Sequence, residues 1–339
     1  MTKISFVLPG IPKPIGGFKF AYKLCKDLME FSQVSVYHIP ISNNIFSKIY
    51  FRVQSMFNPF RNYPSNTFLI KEGKSLNLEF ILKNSDVVFV LSWQLLYSNK
   101  DLIGKYYPKV RHIVMDFPDF MGPKELILNA WDLPIKFFTI SQFLQDYFCN
   151  TLEKSSTLLG CIVPNFFNLT TNSKVLNSIL LNYSSGFYKN PAITLEVANI
   201  LSNLGYNVNI FSREDKPKNC NSGISWFKNC SDYKIALLYS ENEVFISLSK
   251  FEGFGLPALE ALYYESLLIT TDNYGNRDYL SPNIMTILNE EFNVNDVVGE
   301  VVKLINLPED CKSDLRFKGK DHASKFFKFK KNTYLTLIN

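Results

Sequence analysis

The hydrophobic positions of the chain fall into two alternating patterns. Short apolar runs rich in Val, Ile, Leu and Phe are typical of strands that are buried on both faces of a parallel sheet. Such runs predict strands at residues 4–8, 34–39, 86–92, 110–115, 135–140, 177–183, 206–212, 243–248 and 266–271. Between several of these runs, apolar residues recur every three or four positions, which indicates amphipathic helices.

The helical pattern predicts helices over residues 18–31, 142–153, 191–204, 231–240 and 257–265. Ser141 is expected to cap the second of these helices, and Asn190 with Pro191 to begin the third. Residues 41–70 show neither pattern, so no element is assigned to them. The alternation of strands and helices predicts an α/β chain with two doubly wound parallel sheets.

Composition is that of a globular protein long enough for two domains, with 46% hydrophobic and 20% charged residues among 339. No apolar run approaches the roughly 18 residues needed to span a bilayer, and the N-terminus reads as a first strand rather than an export signal. Six cysteines without a C-x-x-C pair are most simply reduced core residues of a cytosolic protein. No nucleic-acid motif and no metal-ligand spacing is present.

The net charge of +5 is concentrated near the C-terminus, in the segment KGKDHASKFFKFKKN at residues 318–332. Two interpretations of this segment stay open. A basic, aromatic segment can lie on an anionic membrane surface. Alternatively, it forms a solvated terminal helix with one buried face.

The segment KFEGFGLPALEAL at residues 250–262 carries a chemical signal. It places Glu252 before two glycines and a proline, and Glu260 eight positions further on. Glycine permits close backbone approach to a ligand, and Pro257 suits the first turn of a helix. Carboxylates that accept bonds from hydroxyl groups, beside amides and a helix end that hold an anion, suit a polyhydroxylated ligand bearing phosphate. Taken alone, Glu260 could simply stabilise the helix N-terminus.

Two glycine-bearing loops, at residues 10–17 and 251–256, each follow a predicted strand. In doubly wound sheets, ligands bind in the crevice beyond the carboxyl ends of the strands. If the two domains face each other, these loops meet across one cleft.

The stretch EGFGLPALE matches the E-x7-E motif of retaining GT-B glycosyltransferases of family 4. Residues 243–280 resemble the nucleotide-sugar half of those enzymes, and residues 15–28 resemble their N-terminal Gly-Gly loop and helix. The segments HIVMDFPDF (112–120) and FFTISQFLQDYF (137–148) are similar to acceptor-domain segments of the rhamnosyltransferase-like subgroup that builds bacterial surface glycans.

This resemblance implies the GT-B architecture, in which two Rossmann-like doubly wound domains face each other across an interdomain cleft. Residues 1–165 would form the acceptor-side domain and residues 166–318 the nucleotide-sugar domain, joined by IVPNFFN at 162–168. Residues 319–339 would form a C-terminal helical segment that crosses back to the N-terminal domain.

By the same resemblance, Glu252 would contact the transferred sugar and Glu260 the ribose hydroxyls. Lys189 falls where the family keeps a phosphate-binding lysine, although a solvated lysine before a helix is an open alternative. The full set of expected donor-binding residues is Gly16, Gly17, Lys189, Arg213, Phe227, Gly253, Phe254, Gly255, Leu256 and Glu260.

The sequence departs from the family pattern at two places. Where relatives carry an Arg before the phosphate-binding Lys, this chain has Ser184 and Ser185, so Arg213 or Arg277 is expected to substitute. Arg277 could instead merely pair with the adjacent Asp278.

Where many relatives carry a His after the fourth N-domain strand, this chain has Asp116-Phe117-Pro118-Asp119. Asp116 and Asp119 are therefore candidate catalytic carboxylates that orient the acceptor hydroxyl. The alternative is that they only form the turn beside Pro118.

The resemblance therefore implies a retaining glycosyltransferase that needs no metal or other cofactor. It would move a hexose or deoxyhexose from a nucleotide sugar to a surface glycan, such as a polyprenyl-linked one, in the cytoplasm, with peripheral contact to the cell membrane. Two alternatives stay open: a non-catalytic nucleotide-sugar-binding module and a GT-B nucleotide-sugar epimerase. The sugar, the nucleotide, the acceptor and the oligomeric state are not predicted.

Overall fold

The chain divides into two compact units, each built on its own parallel sheet. The computed structural model describes residues 1–12, 16–41, 67–69, 77–162, 169, 173–327 and 336–338. The first unit comprises Met1–Pro164 together with Phe329–Asn339, and the second comprises Asn165–Lys328. The division after Pro164 falls beside the expected boundary after residue 165, and most of the expected crossing at 162–168 lies outside the described residues.

Seven parallel strands form the sheet of the first unit, in the order β3-β2-β1-β4-β5-β6-β7. The strands are β1 (Lys3–Pro9), β2 (Gln33–Ile39), β3 (Thr67–Leu69), β4 (Val87–Val90), β5 (Val110–Val114), β6 (Lys136–Thr139) and β7 (Thr157–Leu158). The order reverses between β1 and β4, which is the doubly wound arrangement of a Rossmann-like domain. Strands β4 and β5 are buried along their whole length, as their unbroken apolar runs predict.

The helices of the first unit connect these strands. They are α1 (Gly16–Leu28), α2 (Leu78–Asn84), α3 (Trp93–Ser98), α4 (Lys100–Lys105), α5 (Pro118–Met121), α6 (Lys124–Trp131) and α7 (Gln142–Asp146). The chain continues from α7 into a π-helical turn, Tyr147–Thr151. Ser141 caps α7 as predicted, because its hydroxyl accepts the N–H of Leu144 at 3.5 Å.

Six parallel strands form the sheet of the second unit, in the order β10-β9-β8-β11-β12-β13. The strands are β8 (Val175–Tyr183), β9 (Asn207–Ser212), β10 (Ser225–Lys228), β11 (Asn242–Ser247), β12 (Leu267–Thr271) and β13 (Thr286–Leu288). The helices are α8 (Pro191–Asn203), α9 (Asp232–Glu241), α10 (Leu256–Tyr263), α11 (Val294–Ile305) and α12 (Glu309–Ser324). The order reverses between β8 and β11, so the second unit is also Rossmann-like.

An apolar core joins the sheet of the second unit to α8 and α11. Val197 of α8 and Val301 of α11 are fully buried in it, together with Ile179, Ile210 and Ile269 of three strands. Burial of this apolar surface is the main favourable term that holds the unit together.

The C-terminal boundary expected after residue 318 is corrected, because α12 runs through it without a break. Gly319 does not interrupt the helix; it brings α12 against α10, where an added Cβ would lie 3.1 Å from a methyl carbon of Leu262. Beyond the helix, the ring of Phe326 packs on Phe254, and that of Phe327 packs on Tyr263. The described part of the basic segment is therefore a helix and turn with a buried face.

Three further expectations are corrected. Helix α1 begins at Gly16 rather than at residue 18. Asn190 does precede α8, but it adopts a left-handed conformation with φ of 55° and makes no capping bond with its side chain. Cys149 and Cys311 are exposed rather than in the core.

Within the described ranges, no helix is both long enough and apolar enough to cross a membrane.

Candidate functional site

The carboxyl ends of β8 and β11 lie side by side at the point where the strand order of the second unit reverses. The two strands are parallel neighbours, with Leu180 opposite Phe245 and Leu181 opposite Ile246. In open α/β sheets, ligands bind at such a reversal. The loop after β8 leads to α8, and the loop after β11 leads to α10, so each loop ends at a helix N-terminus.

Lys189 and Glu252 form an ion pair across these two loops. Lys189 closes a short helical turn, Phe187–Lys189, and its side chain is 20% exposed, whereas that of Glu252 is 13% exposed. A main-chain bond from the N–H of Lys250 to the carbonyl of Tyr188, at 2.7 Å, holds the loops together. The structure thus brings together two of the predicted site residues, and Lys189 is not simply solvated.

The buried loop between Glu252 and α10 contains three consecutive main-chain donors. Among the described residues, no acceptor is bound by the N–H groups of Gly253, Phe254 and Gly255. Gly255 precedes the first residue of α10 and has a φ of +82°, and Pro257 lies in the first helical turn as predicted. Free amides ahead of a helix N-terminus favour an anion, since the partial charges of the helix add to those of the amides.

Glu260 lies one turn into α10, partly buried, and its charge acts on a buried tyrosine. Burial raises the pKa of Tyr239 well above its usual range, and the negative charge of Glu260 raises it further. Leu256, the first residue of α10, is also partly buried. Glu260 and Leu256 both belong to α10, which begins one residue before the start at residue 257 that the sequence predicts.

Ser184 and Ser185, at the position of the missing Arg, bond to a carboxylate that the predicted site does not include. Glu214 accepts the N–H of Ser185 at 3.0 Å and the hydroxyl of Ser184 at 3.1 Å. The bond from the Ser185 N–H is the main cause that lowers the pKa of Glu214. A signal for Glu214 was available, since an acidic residue at the end of the second strand is the ribose-binding position of many Rossmann-like domains.

The two arginines expected to substitute differ in their surroundings. The guanidinium of Arg277 donates to both carboxylate oxygens of Asp272, at 2.8 and 2.9 Å, rather than pairing with Asp278. Arg213 is exposed and directly follows β9. Phe227 lies on the edge strand β10, separated from β8 by β9, and the ammonium of Lys234 lies 5.2 Å from its ring centre.

In the first unit, Gly16 and Gly17 lie in the first turn of α1 rather than in a loop. Residues 13–15 of the expected glycine loop lie outside the described residues. An added Cβ on Gly17 would lie 3.6 Å from the Met115 side chain, an ordinary contact, and one on Gly16 would meet nothing within 4 Å. Close packing in the described structure therefore does not require glycine at either position.

The two aspartates of the first unit differ in their surroundings. Asp119 is exposed and pairs with Lys124 at 3.0 Å, as in a surface ion pair. Asp116 is partly buried directly after β5, and one of its oxygens accepts the N–H of Phe117 at 2.9 Å. The turn beside Pro118 is therefore present, and Asp116 is the better shielded of the two carboxylates.

One family model matches the chain, and it lies in the second unit. Residues 205–319 match the family described as Glycosyl transferases group 1. The match includes Glu252 and Glu260, and it extends from the turn before β9 into α12. No curated protein sequence matches the chain.

Solved structures resemble the chain over nearly its whole length. A sucrose-phosphate synthase from Thermosynechococcus elongatus gives a TM-score of 0.72 at 12% identity, covering 99% of this chain and 97% of that one. Anabaena HepE in complex with UDP-glucose gives 0.72 at 11% identity, with 99% and 97% covered. A variant of S. aureus TarM in complex with fondaparinux, alpha-GlcNAc-glycerol and UDP gives 0.71 at 12% identity, with 100% of both chains covered.

At such low identity, these likenesses show the fold alone. The chain therefore has the GT-B fold of two Rossmann-like domains, and the part of its second unit that matches the Glycosyl transferases group 1 model includes both glutamates of the predicted motif.

Proposed function

We propose that this chain is a retaining glycosyltransferase that takes a hexose or deoxyhexose from a nucleotide-sugar donor. The proposal depends on one observation: Lys189 and Glu252 form an ion pair at the carboxyl edge of the second sheet, beside the unbonded amides of residues 253–255. A cation and main-chain donors suit a diphosphate, and a carboxylate suits sugar hydroxyls. The group 1 match and the UDP-containing complexes of HepE and TarM support the same donor class.

In this proposal, the second unit stabilises the leaving group. The diphosphate gathers negative charge as its bond to the anomeric carbon lengthens. The ammonium of Lys189, the amides of Gly253, Phe254 and Gly255, and the N-terminus of α10 would stabilise that charge. These groups are already in place before the reaction, so stabilisation by them needs no metal ion.

Glu252 would change partners when the donor binds. Once the diphosphate has formed an ion pair with the ammonium of Lys189, the Glu252 carboxylate is available to accept hydrogen bonds from hydroxyl groups of the transferred sugar. We propose that the acceptor oxygen bonds to the anomeric carbon on the face from which the diphosphate leaves, and that the hydroxyl proton passes to the leaving diphosphate. The configuration is then retained without a covalent intermediate on Glu252. Glu260 would bind the ribose hydroxyls.

The first unit would supply the acceptor side. Asp116 is the preferred carboxylate for orienting the acceptor hydroxyl, because it is partly buried and Asp119 is held by Lys124 on the surface. The proposed acceptor is a lipid-linked glycan at the cytoplasmic face of a membrane. Since the rings of Phe326 and Phe327 pack inward, basic side chains rather than these rings would contact that surface.

A screen of nucleotide sugars by thermal shift tests the donor class. A ligand that binds only the folded state raises the melting temperature, by an amount that grows with ligand concentration. We expect one or a few nucleotide sugars to stabilise the wild type and to stabilise Lys189→Met much less. If no nucleotide sugar or nucleoside diphosphate shifts the melting temperature of the wild type, the proposed function is wrong.

One observation favours a second candidate, a nucleotide-sugar-binding module without catalysis. Ser184 and Ser185 stand where relatives carry an arginine, and both bond to the carboxylate of Glu214, so the site would offer the leaving diphosphate one cation fewer. A module of this kind would bind a donor without releasing the nucleoside diphosphate or the sugar. Product analysis of the same mixtures separates it from a transferase, and also from an epimerase, which would change the sugar without releasing it.

A further inference from the structure

Tyr274, in the turn that follows β12, has a strained main chain. Tyr274 has a φ of 67° and a ψ of −54°, and the N–H of Gly275 donates to the carbonyl of Asn273 at 2.8 Å. This geometry is a γ-turn with positive φ, which is rare and strained for a residue other than glycine. Strained residues persist only where their surroundings over-determine them, and they cluster at functional sites.

Contacts of the Tyr274 ring hold the turn. The ring stacks on that of Phe251, with centres 5.0 Å apart and planes 6° apart, and the guanidinium of Arg277 lies 4.3 Å from its centre. Arg277 is itself fixed by both oxygens of Asp272, and Asp272 also accepts the N–H of Tyr274 at 3.0 Å. A glycine would adopt this turn without strain, but it would make none of the ring contacts.

The strained turn presses against the start of the site loop. The carbonyl of Asn273 also accepts the N–H of Glu252, at 3.0 Å. An added Cβ on Gly275 would lie 2.3 Å from the carbonyl oxygen of Glu252 and 2.6 Å from the main chain of Gly253 and of Phe254. The loop can keep its present path only while this turn stays closed and residue 275 stays a glycine.

The same segment also holds the end of the loop. The hydroxyl of Tyr279 donates to the carbonyl of Gly255 at 2.5 Å. Asn273 and Asn276 are fully buried, and each accepts the main-chain N–H of the other at 3.1 Å. Residues 273–279 thus touch the main chain at Glu252, Gly253, Phe254 and Gly255.

We propose that Tyr274 is a positioning residue: its strained turn sets the path of residues 252–255 and therefore the place of the Glu252 carboxylate and of the three free amides. The catalytic consequence rests on the proposed function, but the positioning itself does not. In this proposal, the strained turn holds the Glu252 carboxylate and the three amides in one arrangement before a ligand binds. Electrostatic stabilisation of a leaving group requires such preorganisation.

Hydrogen exchange in the ligand-free protein tests the positioning directly. In Tyr274→Ala, which loses the ring, we expect the amide of Glu252, which donates to the carbonyl of Asn273 at 3.0 Å, to exchange about tenfold faster than in the wild type. Tyr274→Phe keeps the ring and should restore slow exchange. Equal exchange of this amide in the wild type and Tyr274→Ala would overturn the inference. If Tyr274→Ala does not fold, Arg277→Met withdraws only a partly exposed guanidinium from the ring, and unchanged exchange in that variant would overturn it equally.

Kinetics with an active donor separate positioning from general stability. Displacing the reacting groups by about an ångström can lower kcat about 100-fold, so Tyr274→Ala should lose kcat on this scale while KM for the acceptor stays near its wild-type value. Tyr274→Phe should recover kcat. A variant that only melts at lower temperature, with kcat unchanged, would contradict the positioning role. If the wild type binds no donor, the proposed function is contradicted. Hydrogen exchange in the ligand-free protein then still tests whether Tyr274 positions the loop.

Discussion

Glu252 and Lys189 neutralise each other in a partly buried position, with side chains 13% and 20% exposed. Their ion pair means that a ligand phosphate must compete with a carboxylate for the same ammonium. The pair therefore opposes the binding of a free nucleoside diphosphate, which offers no sugar for Glu252 to hold. Under the proposed function, a complete nucleotide sugar would compensate by giving Glu252 hydroxyl groups to bind.

Replacing Glu252 by Gln should therefore separate binding from transfer. We expect Glu252→Gln to bind nucleoside diphosphate about 3- to 10-fold more tightly, because removing one partner of an ion pair worth about 1 kcal/mol frees Lys189. Transfer of the sugar should fall strongly in the same variant. Titration calorimetry with UDP, GDP, ADP and TDP measures the first effect, and a transfer assay measures the second.

The second glutamate serves as the matched control. Glu260→Gln removes the same charge from the same helix region but leaves the ion pair of Lys189 intact, so it should not tighten diphosphate binding. If Glu252→Gln binds the diphosphate no better than the wild type, the competition between Glu252 and phosphate for Lys189 is refuted.

At the scale of residues, the sequence predicted the positions of site residues only where they belong to a short motif or to a segment that resembles one. Glu252, Gly255 and Pro257 belong to one such stretch, so their places on the loop and at the helix start could be predicted. The role of Gly275 could not be predicted, because it arises where separate loops meet: Gly275 packs on residues 252–254. The position of Glu214 after the second strand carried a signal, but its bond to residue 185 of another loop could not be predicted.

At the scale of elements, the junction between the site loop and α10 is tightly packed and has a positive φ. Gly255 has a φ of +82°, and an added Cβ would lie 2.7 Å from the hydroxyl of Tyr279. L-residues with a side chain are strained at such a φ, and here the added atom also meets a group that donates to the Gly255 carbonyl.

Gly255→Ala should destabilise the second unit by about 1–3 kcal/mol and displace the start of α10, with a loss of donor binding. Gly299→Ala is the matched control, because Gly299 lies inside α11 without a positive φ and with nothing within 4 Å of an added Cβ. This control should stabilise the protein by about 0.4–1 kcal/mol. Calorimetric melting of the two variants gives both values, and a Gly255→Ala variant as stable as the wild type would contradict the strain.

At the scale of elements, the long and strongly patterned segments were predicted well. All nine predicted strands are present within a few residues, because strands buried on both faces are unbroken apolar runs. Strands β3, β7, β10 and β13 were missed. They have only two to four residues each and lie at or near the edges of the sheets, so few buried positions mark them.

The stability of the whole molecule is expected to depend on a partly buried lysine, Lys174. The ammonium of Lys174 donates to the carbonyls of Tyr239 and Tyr264, both at 2.9 Å. Burial, with a further contribution from the charge of Arg316, lowers the pKa of Lys174 from 10.5 to about 7, although Glu265 and Glu243 oppose the shift. The folded protein therefore binds this proton less tightly than the unfolded chain does.

Between pH 7 and the ordinary pKa of lysine, the unfolded chain holds a proton that the folded protein has released, so Lys174 makes stability rise with pH in this window. The slope from one proton is at most about 1.4 kcal/mol per pH unit. Lys174→Met should remove this contribution, so the stability of the wild type relative to the variant should grow from pH 7 to pH 9. Urea unfolding at several pH values measures it, and a difference independent of pH would refute the lowered pKa.

For the whole molecule, the sequence predicted two α/β units because strands and helices alternate twice along the chain. Its motif led to the GT-B fold that the solved structures share. The C-terminal boundary could not be predicted, since α12 continues through Gly319 at the expected end, where Leu262 of α10 packs against the helix. Contacts of this kind depend on the assembled unit.

The central claim is that Lys189 and the neighbouring amides accept the leaving diphosphate of a nucleotide sugar. Its most direct test is the release of nucleoside diphosphate from a panel of nucleotide sugars, followed with the wild type and with Lys189→Met. We predict release by the wild type with at least one donor, and a loss of about 100- to 1,000-fold in Lys189→Met, as for the removal of other groups that stabilise developing charge. Equal rates of release by the two proteins would contradict the account.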